Sequence, residues 1–377
     1  LHGGPIAAAP YPLHVAGGGP HVTDGARIQE KPPFGKGKDL RRSMAGKGRQ
    51  VCKVLLCRLA LWVKLVQQIN RPKTDQDSPA QMGTVQGGRM HYHTPKSFDE
   101  AATISAGAKG VTRFLAGGTD VLVQLRAGMV TPDDLIDLKH IPGVKDITRT
   151  ADGGWRIGVA VSGAELSRHA ALCADWPGVI EGMNLVGSTQ VQGRATLVGN
   201  LCNGSPAADS VPGLVAAGAK VTITSANGSR DVAVEDIPAG PGRNVLKPGE
   251  VISAVILPPR GKDGGDAYLR FIPRTEMDIA VVGAAVNLTL AGGKIATARV
   301  SLGAVAPKVL LVDEAARAII GTDLNDAALE ALTTAARAAA TPISDKRGTA
   351  EFRTEVVGVL VRRAAQIAMA RAKGDKK

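Results

Sequence analysis

Aromatic residues are scarce in this chain, at 3%, and its four cysteines, Cys52, Cys57, Cys173 and Cys202, form no CxxC or longer ligand spacing. Thiolate metal sites draw their ligands in closely spaced pairs, so the pattern argues against a structural zinc or an iron–sulfur cluster held by this chain alone. So few thiols also fit a reducing compartment, and a cytoplasmic location is the expectation. No GxSxG, HExxH or paired His/carboxylate spacing occurs, which removes the commonest hydrolase and metalloenzyme motifs. His140 and His169 stand alone near charged residues and read as solvated side chains. A long hydrophobic run is missing too. Val51–Val66 spans 16 residues and carries Lys53, Arg58 and Lys64, too short and too charged to cross a bilayer.

What is abundant is alanine, glycine and valine, the composition of an α/β architecture closed over small side chains. A length of 377 residues suits two or three compact units. The net charge of +12 suggests nucleic acid or membrane until it is located. Residues 1–89 hold 14 Lys/Arg against 5 Asp/Glu, a net +9, which leaves +3 for residues 90–377. The body is thus ordinary for a soluble enzyme, and the basic signal belongs to the leader. Arg41-Arg42 ahead of the apolar run resembles a twin-arginine export signal, but no small-residue cleavage site follows. A basic amphipathic helix on anionic lipid is a second weak reading. A third is translated upstream DNA, since Gly87-Gly88 before Met90 suits the guanine-rich codons of a ribosome-binding site. On that expectation residues 1–89 are a non-native or disordered extension.

Orderly local signals begin at Met90. Ser97-Phe98-Asp99-Glu100 is a capping box that starts a helix running to about Ala106. Val111–Leu115 reads as a strand, Ala116-Gly117-Gly118-Thr119-Asp120 as a tight turn, and Val121, Leu122, Leu125 and Met129 recur at helical spacing. Strand, glycine turn and helix is an arrangement that points backbone N–H groups at an anion. Leu135–Leu138 and Arg156–Val161 are further strands, Ser162-Gly163-Ala164-Glu165 a second capping box, and Gly178–Val186 a helix. Gly187–Asp209 is rich in glycine and asparagine. It reads as too irregular for a regular element, and loops of that length are usually functional. A helix at Val211–Ala217 and strands at Lys220–Thr224 and Val251–Leu257 follow. Pro258–Asp266 is a breaker-rich linker that divides 90–265 from 266–377. Beyond it, Ile279–Leu290, the turn Ala291–Lys294 and Ile295–Val305 predict a hairpin, with helices at 312–320, 326–340 and 351–372.

The stretch from Gly187-Ser188-Thr189-Gln190 through Thr196-Leu197-Val198-Gly199-Asn200 to Ser205-Pro206-Ala207-Ala208-Asp209 resembles the second flavin-binding segment of the molybdenum hydroxylases. That family contains xanthine dehydrogenase, carbon monoxide dehydrogenase and the related aldehyde and heterocycle hydroxylases. Ala116–Asp120 resembles the family's first flavin loop. Tyr268-Leu269-Arg270-Phe271, Arg274 and Met277–Gly283 resemble the start of its C-terminal domain, and Arg347–Arg353 its last helix. The likeness covers 90–377 and nothing earlier.

The resemblance implies an α+β fold: a two-lobed FAD-binding domain of the PCMH type over 90–265, then a C-terminal domain over 266–377 with a three-stranded antiparallel sheet and helices. It implies FAD on this chain, with molybdopterin on a large partner subunit and two 2Fe–2S clusters on a small one, commonly as a dimer of heterotrimers. Electrons would reach the flavin from the clusters and leave to an external acceptor. No side chain is assigned as catalytic, because the cofactor does the redox work. The expected cofactor residues are Ala116, Gly117, Gly118, Thr119 and Asp120 from the first loop, with Ser188, Thr196, Gly199, Asn200 and Asp209 from the second. Glycines let a backbone approach a pyrophosphate closely; the alternative is glycines that serve turns alone. Asp120 and Asp209 are equally suited to cap the helices that follow them. Val198 stands where the family often has glycine, and it is expected beside the phosphate path. Gln192-Gly193 likewise replace an Arg-Asn pair. Cys202 reads as a small packed residue, while Arg243, Lys247 and Arg274 are candidates to approach the flavin or a partner. Two rivals remain: a self-sufficient flavin oxidase or reductase, and an assembly subunit that has lost FAD.

Overall fold

The computed structural model describes residues 90–375. The extension over 1–89, with its apolar run and twin arginines, lies outside the described residues.

The first lobe is built from β1 (His91–His93), α1 (Phe98–Gly107), β2 (Thr112–Leu115), α2 (Val121–Arg126) and β3 (Asp134–Asp137). β3 lies between β1 and β2 and runs parallel to both. Parallel neighbours need crossovers, and α2 supplies the one from β2 to β3. Ser97 caps α1 as its position predicts, with Oγ accepting from the Glu100 amide at 3.1 Å. The reciprocal bond moves by one residue, because Glu100 Oε2 accepts from Lys96 N at 2.6 Å.

The second lobe runs through β4 (Ile147–Arg149), β5 (Trp155–Gly158), α3 (Gly163–Arg168), α4 (Ala170–Asp175) and α5 (Pro177–Met183). It continues with α6 (Thr189–Gln192), α7 (Leu197–Cys202), α8 (Ser210–Ala217), β6 (Lys220–Ser225) and β7 (Gly228–Ala233). β8 (Pro238–Gly240), β9 (Arg243–Asn244) and β10 (Val251–Leu257) complete it. Five strands form an antiparallel sheet in the order β4-β5-β10-β6-β7. β10 is central and buried along most of its length, which explains its unbroken apolar sequence. The Ser162–Glu165 capping box is complete in both directions at the start of α3.

The C-terminal part contains β11 (Gly264–Phe271), β12 (Val282–Ala291), β13 (Lys294–Gly303), β14 (Leu310–Leu311), α9 (Asp313–Arg317), α10 (Asp326–Ala339) and α11 (Ala350–Ala372). The expected three antiparallel strands are β11, β12 and β13, and β14 adds a two-residue fourth. Gly292 and Gly293 join β12 to β13 with φ of 57° and 78°, both in the left-handed region that glycine enters without a Cβ clash. Among the described residues, no helix is long and apolar enough to cross a membrane.

Three sequence expectations are corrected. Gly187–Asp209 is not without regular structure, since it contains α6 and α7, whose four and six residues are too few to show a period. The linker ends early, because β11 begins at Gly264. Strands β1 and β7 were not anticipated, β7 being a polar edge strand with four exposed residues in succession.

One large apolar core lies mainly under the second lobe and takes in Ala101 and Ile136 of the first, and another lies between the C-terminal sheet and its helices. All eight residues of α8 are buried. Val211, Leu214 and Val215 face the first core, while Ala216 joins Tyr268 and Ala285 on the other side. Each fully buried leucine of this kind contributes roughly 1.5–3 kcal/mol relative to exposure.

Candidate functional site

The loop after β2 and the segment around α7 meet by backbone contact. Gly117 sits so close to the carbonyl of Arg194 and the Cα of Ala195 that a Cβ there would overlap the chain. Arg194 Nε donates to Gly117 O at 3.4 Å. Further along, Asn203 donates through Nδ2 to Asp120 Oδ1 at 3.3 Å and accepts through Oδ1 from Gln124 Nε2 at 3.1 Å. The two glycine-rich segments are therefore joined at both ends of the first loop.

Each glycine at this junction has its own reason. Gly117 is required by the Arg194 contact. Gly118 has φ of 81°, a backbone that side chains rarely adopt. Gly199 has neither: its φ is ordinary for a helix, and a Cβ would meet only Thr196 Oγ1 at 3.0 Å. The fold does not need a glycine there, so its bare face is free for something other than protein. In the first loop, the amides of Gly117, Gly118, Thr119 and Asp120 find no acceptor among the described residues. Successive unpaired N–H groups in a turn form a concave donor surface for an anion.

The other expected residues fall into two groups. Ala116 is half-buried at the edge of the core, and Thr119 and Ser188 are half-exposed, Ser188 leading into α6 without capping it. Asn200 fixes its carbonyl end by accepting from Ser210 Oγ at 2.7 Å, which leaves its amide donors open. Thr196 works from inside the segment, buried, with Oγ1 accepting from the Gly199 amide at 2.9 Å. Asp120 does not cap α2 with its side chain, and partial burial raises its carboxyl above the usual range.

Asp209 is the clearest departure from the capping alternative. It makes no cap to α8. Its carboxylate accepts from Arg270 Nη1 at 2.6 Å and from Tyr268 Oη at 3.0 Å, so both oxygens are engaged by β11. Burial pushes Asp209 up to about 6 in spite of the opposing Arg270 charge, and pushes the Tyr268 hydroxyl well above its ordinary value. Arg270 Nη1 also donates to Leu185 O at 2.8 Å, ahead of the second segment.

Val198 overturns its expectation. It is 6% exposed and belongs to the second-lobe core, because α7 turns Leu197, Val198 and Leu201 inward and Gly199 and Asn200 outward. Its side chain faces away from the Gly199 surface. Burial holds the Cys202 thiol at about 12, the state of a packed, unreactive side chain. His169 is half-buried and accepts from Leu172 N through Nδ1 at 3.2 Å, a helix cap instead of a solvated ring. Of the three speculative cations, Arg243 lies near the segment: Gly242 N donates to Gly204 O at 3.0 Å and Asn244 Nδ2 to Cys202 O at 3.0 Å. Lys247 is exposed, and Arg274 pairs with Asp278. Sequence reasoning overlooked Arg194 and Asn203, which tie the loops together. The signal for Asn203 was weak, since an asparagine within a glycine-rich stretch reads as one more turn residue.

Residues 87–260 match the family described as the FAD binding domain in molybdopterin dehydrogenase, and residues 267–368 match the CO dehydrogenase flavoprotein C-terminal domain. A two-lobed α/β scaffold with this glycine junction, followed by an antiparallel sheet and helices, defines an FAD-binding oxidoreductase component. The chain is 34% identical over 291 residues to the carbon monoxide dehydrogenase medium chain of Afipia carboxidovorans, over 76% of this chain and 99% of that one. It is 29% identical over 284 residues to the xanthine dehydrogenase FAD-binding subunit of Escherichia coli O157:H7, over 75% and 97% of the two chains. Among solved structures, the reconstituted CO dehydrogenase from Oligotropha carboxidovorans matches with a TM-score of 0.72 and 33% identity, covering 75% of this chain and 99% of that one. The chain belongs to the family of FAD-binding medium subunits of the molybdenum hydroxylases.

Proposed function

We propose that this chain is the electron-relay subunit of a molybdenum hydroxylase complex, and that it holds FAD at the junction of its two glycine-rich segments. The observation that carries the reading is Gly117 seated on the Arg194–Ala195 backbone, which packs a loop with four unpaired amides against the second glycine-rich segment. That chemistry fits a pyrophosphate: N–H donors converge where no side chain keeps an anion away. When bound, FAD would supply the redox capacity for a relay between 2Fe–2S clusters on a small partner subunit and an external acceptor.

The protein's own residues bind and orient. Ala116, Gly117, Gly118, Thr119 and Asp120 form one wall, and Ser188, Gly199 and Asn200 the other. Thr196 and Asp209 support that wall from behind, Thr196 by holding the Gly199 amide and Asp209 through Arg270 and Tyr268. FAD binding belongs to 90–265 in this reading, and 266–377 braces it. Oxidation of the organic substrate occurs on a large molybdopterin subunit, and the assembly is a dimer of heterotrimers in the cytoplasm, a location that four unclustered cysteines suit. The inward orientation of Val198 removes the ground on which a cofactor-free assembly role rested.

The test is an absorption spectrum of the purified chain, with the released cofactor identified after heat denaturation. The expected result is a flavin spectrum and about one FAD per chain, released without covalent attachment. A folded, colourless protein that FAD cannot reconstitute would sink the relay role. Flavin that stays on the denatured polypeptide would instead favour a self-sufficient oxidase.

A further inference from the structure

We infer that Arg194 supplies the counter-charge for the pyrophosphate of the cofactor, a specific use of one charged side chain where the rest of the junction offers only neutral donors. The inference rests on the FAD reading above.

Arg194 lies at the point where the two segments meet, since its carbonyl and the following Cα are what Gly117 touches. Its side chain is exposed and turns back over the first loop, where Nε donates to Gly117 O at 3.4 Å. That is its only side-chain hydrogen bond among the described residues, so both Nη groups remain available beside the unpaired amides of Gly117 to Asp120. The electrostatics require such a group. A pyrophosphate brings negative charge into a loop that already carries the Asp120 carboxylate, which Asn203 holds in place by a neutral hydrogen bond. Backbone dipoles offset part of that repulsion, and a guanidinium offsets it more strongly because a planar fork meets phosphate oxygens with two parallel donors. Other cations near the loops are committed elsewhere or sit farther along the chain. Arg113 donates to Thr112 O, and Arg243 belongs to β9 beside Gly204.

The experiment is a fluorescence titration of FAD onto the deflavinated full chain and its Arg194→Lys, Arg194→Gln and Arg194→Glu variants, at low and at moderate ionic strength. Circular dichroism of each apoprotein checks that the exposed substitutions leave the fold intact. We expect Kd to rise in the order wild type, Lys, Gln, Glu, with Gln weaker than wild type by about five- to tenfold, as suits one charge-assisted contact at an exposed position. Added salt should weaken the wild type more than Gln, because only the former has a screened attraction to lose. Equal loss in Gln and Glu would mark a packing effect and overturn the proposal, as would a Gln variant that binds within twofold of wild type. A wild-type chain that binds no FAD at all overturns the parent reading as well, so the two failures are distinguishable.

Discussion

Two polar regions of the molecule treat their hydrogen-bonding groups in opposite ways. At the glycine junction, four successive amides and the face of Gly199 are left unpaired. At the seam between the second lobe and β11, charges are buried and closed on one another. Asp209 holds Arg270 and Tyr268. Asp266 accepts from Arg260 Nη2 at 2.6 Å and from Gly178 N at 2.9 Å. Arg371 pairs with Glu181 and donates to Asp266 O at 2.6 Å. In the proposed reading the difference separates a surface that receives a ligand from a seam whose charges pair with one another. A buried unpaired donor costs stability, as Arg270 Nε does at the seam, whereas at the junction the unpaired amides are what the proposed FAD site would use.

Breaking the closed region should have the largest effect. Arg270→Met leaves the Asp209 carboxylate buried without its cation, a loss expected at about 3–5 kcal/mol near neutral pH. The pH dependence follows from the sign of the shift. Asp209 binds its proton more tightly folded, at about 6, than in the unfolded chain, at roughly 4. Its contribution therefore makes stability fall as pH rises from about 4 to about 6, most favourable at the acid end. Without Arg270 the folded value climbs further, so urea unfolding should show a smaller gap between variant and wild type at pH 5 than at pH 7.5. An equal gap at both pH values would mean that the Arg270 charge is not what Asp209 needs.

Gly117→Ala comes next, because the overlap falls on backbone that cannot rotate away. Separating the two segments should cost about 1–3 kcal/mol as overpacking does, and FAD binding should be lost with it. Thermal melting and a flavin titration on the same sample read both effects.

Gly199→Ala is the smallest in stability and the sharpest in meaning. Replacing a helical glycine with alanine should leave the apoprotein unchanged or raise its stability by up to roughly 1 kcal/mol, since only Thr196 Oγ1 is close. FAD affinity should nevertheless fall by about tenfold or more. If affinity were unaffected, the bare face of Gly199 would not be part of the cofactor surface.

The sequence made short-range features legible because their causes are short-range. The Ser97 cap and the Ser162–Glu165 capping box depend on four adjacent residues, the Gly292-Gly293 turn on two, and β10 on one apolar run whose bounds are the same in the structure. The resemblance pointed to two segments that the fold packs together at Gly117 and Arg194. It could not orient them, since the inward turn of Val198 depends on the register of a six-residue helix. The first three residues of β11 read as linker in the sequence because Gly264 and Gly265 look like breakers. In the fold, Gly265 is where the backbone of Ala368 in α11 approaches so closely that no Cβ would fit. Asp209 was read as a cap or a flavin contact for a similar reason: its partners are about sixty residues away, and nothing in its neighbourhood names them.

The burial of α8 on all sides has a consequence for how the polypeptide hangs together. Pro212 lies under Gly303, Arg299 Nε donates to Val215 O at 3.1 Å, and the other face is part of the second-lobe core. The exposed connection at residues 261–263 is therefore not what joins the two halves. Cut there, the chain would become two fragments held to each other by a shared helix, still one particle in solution.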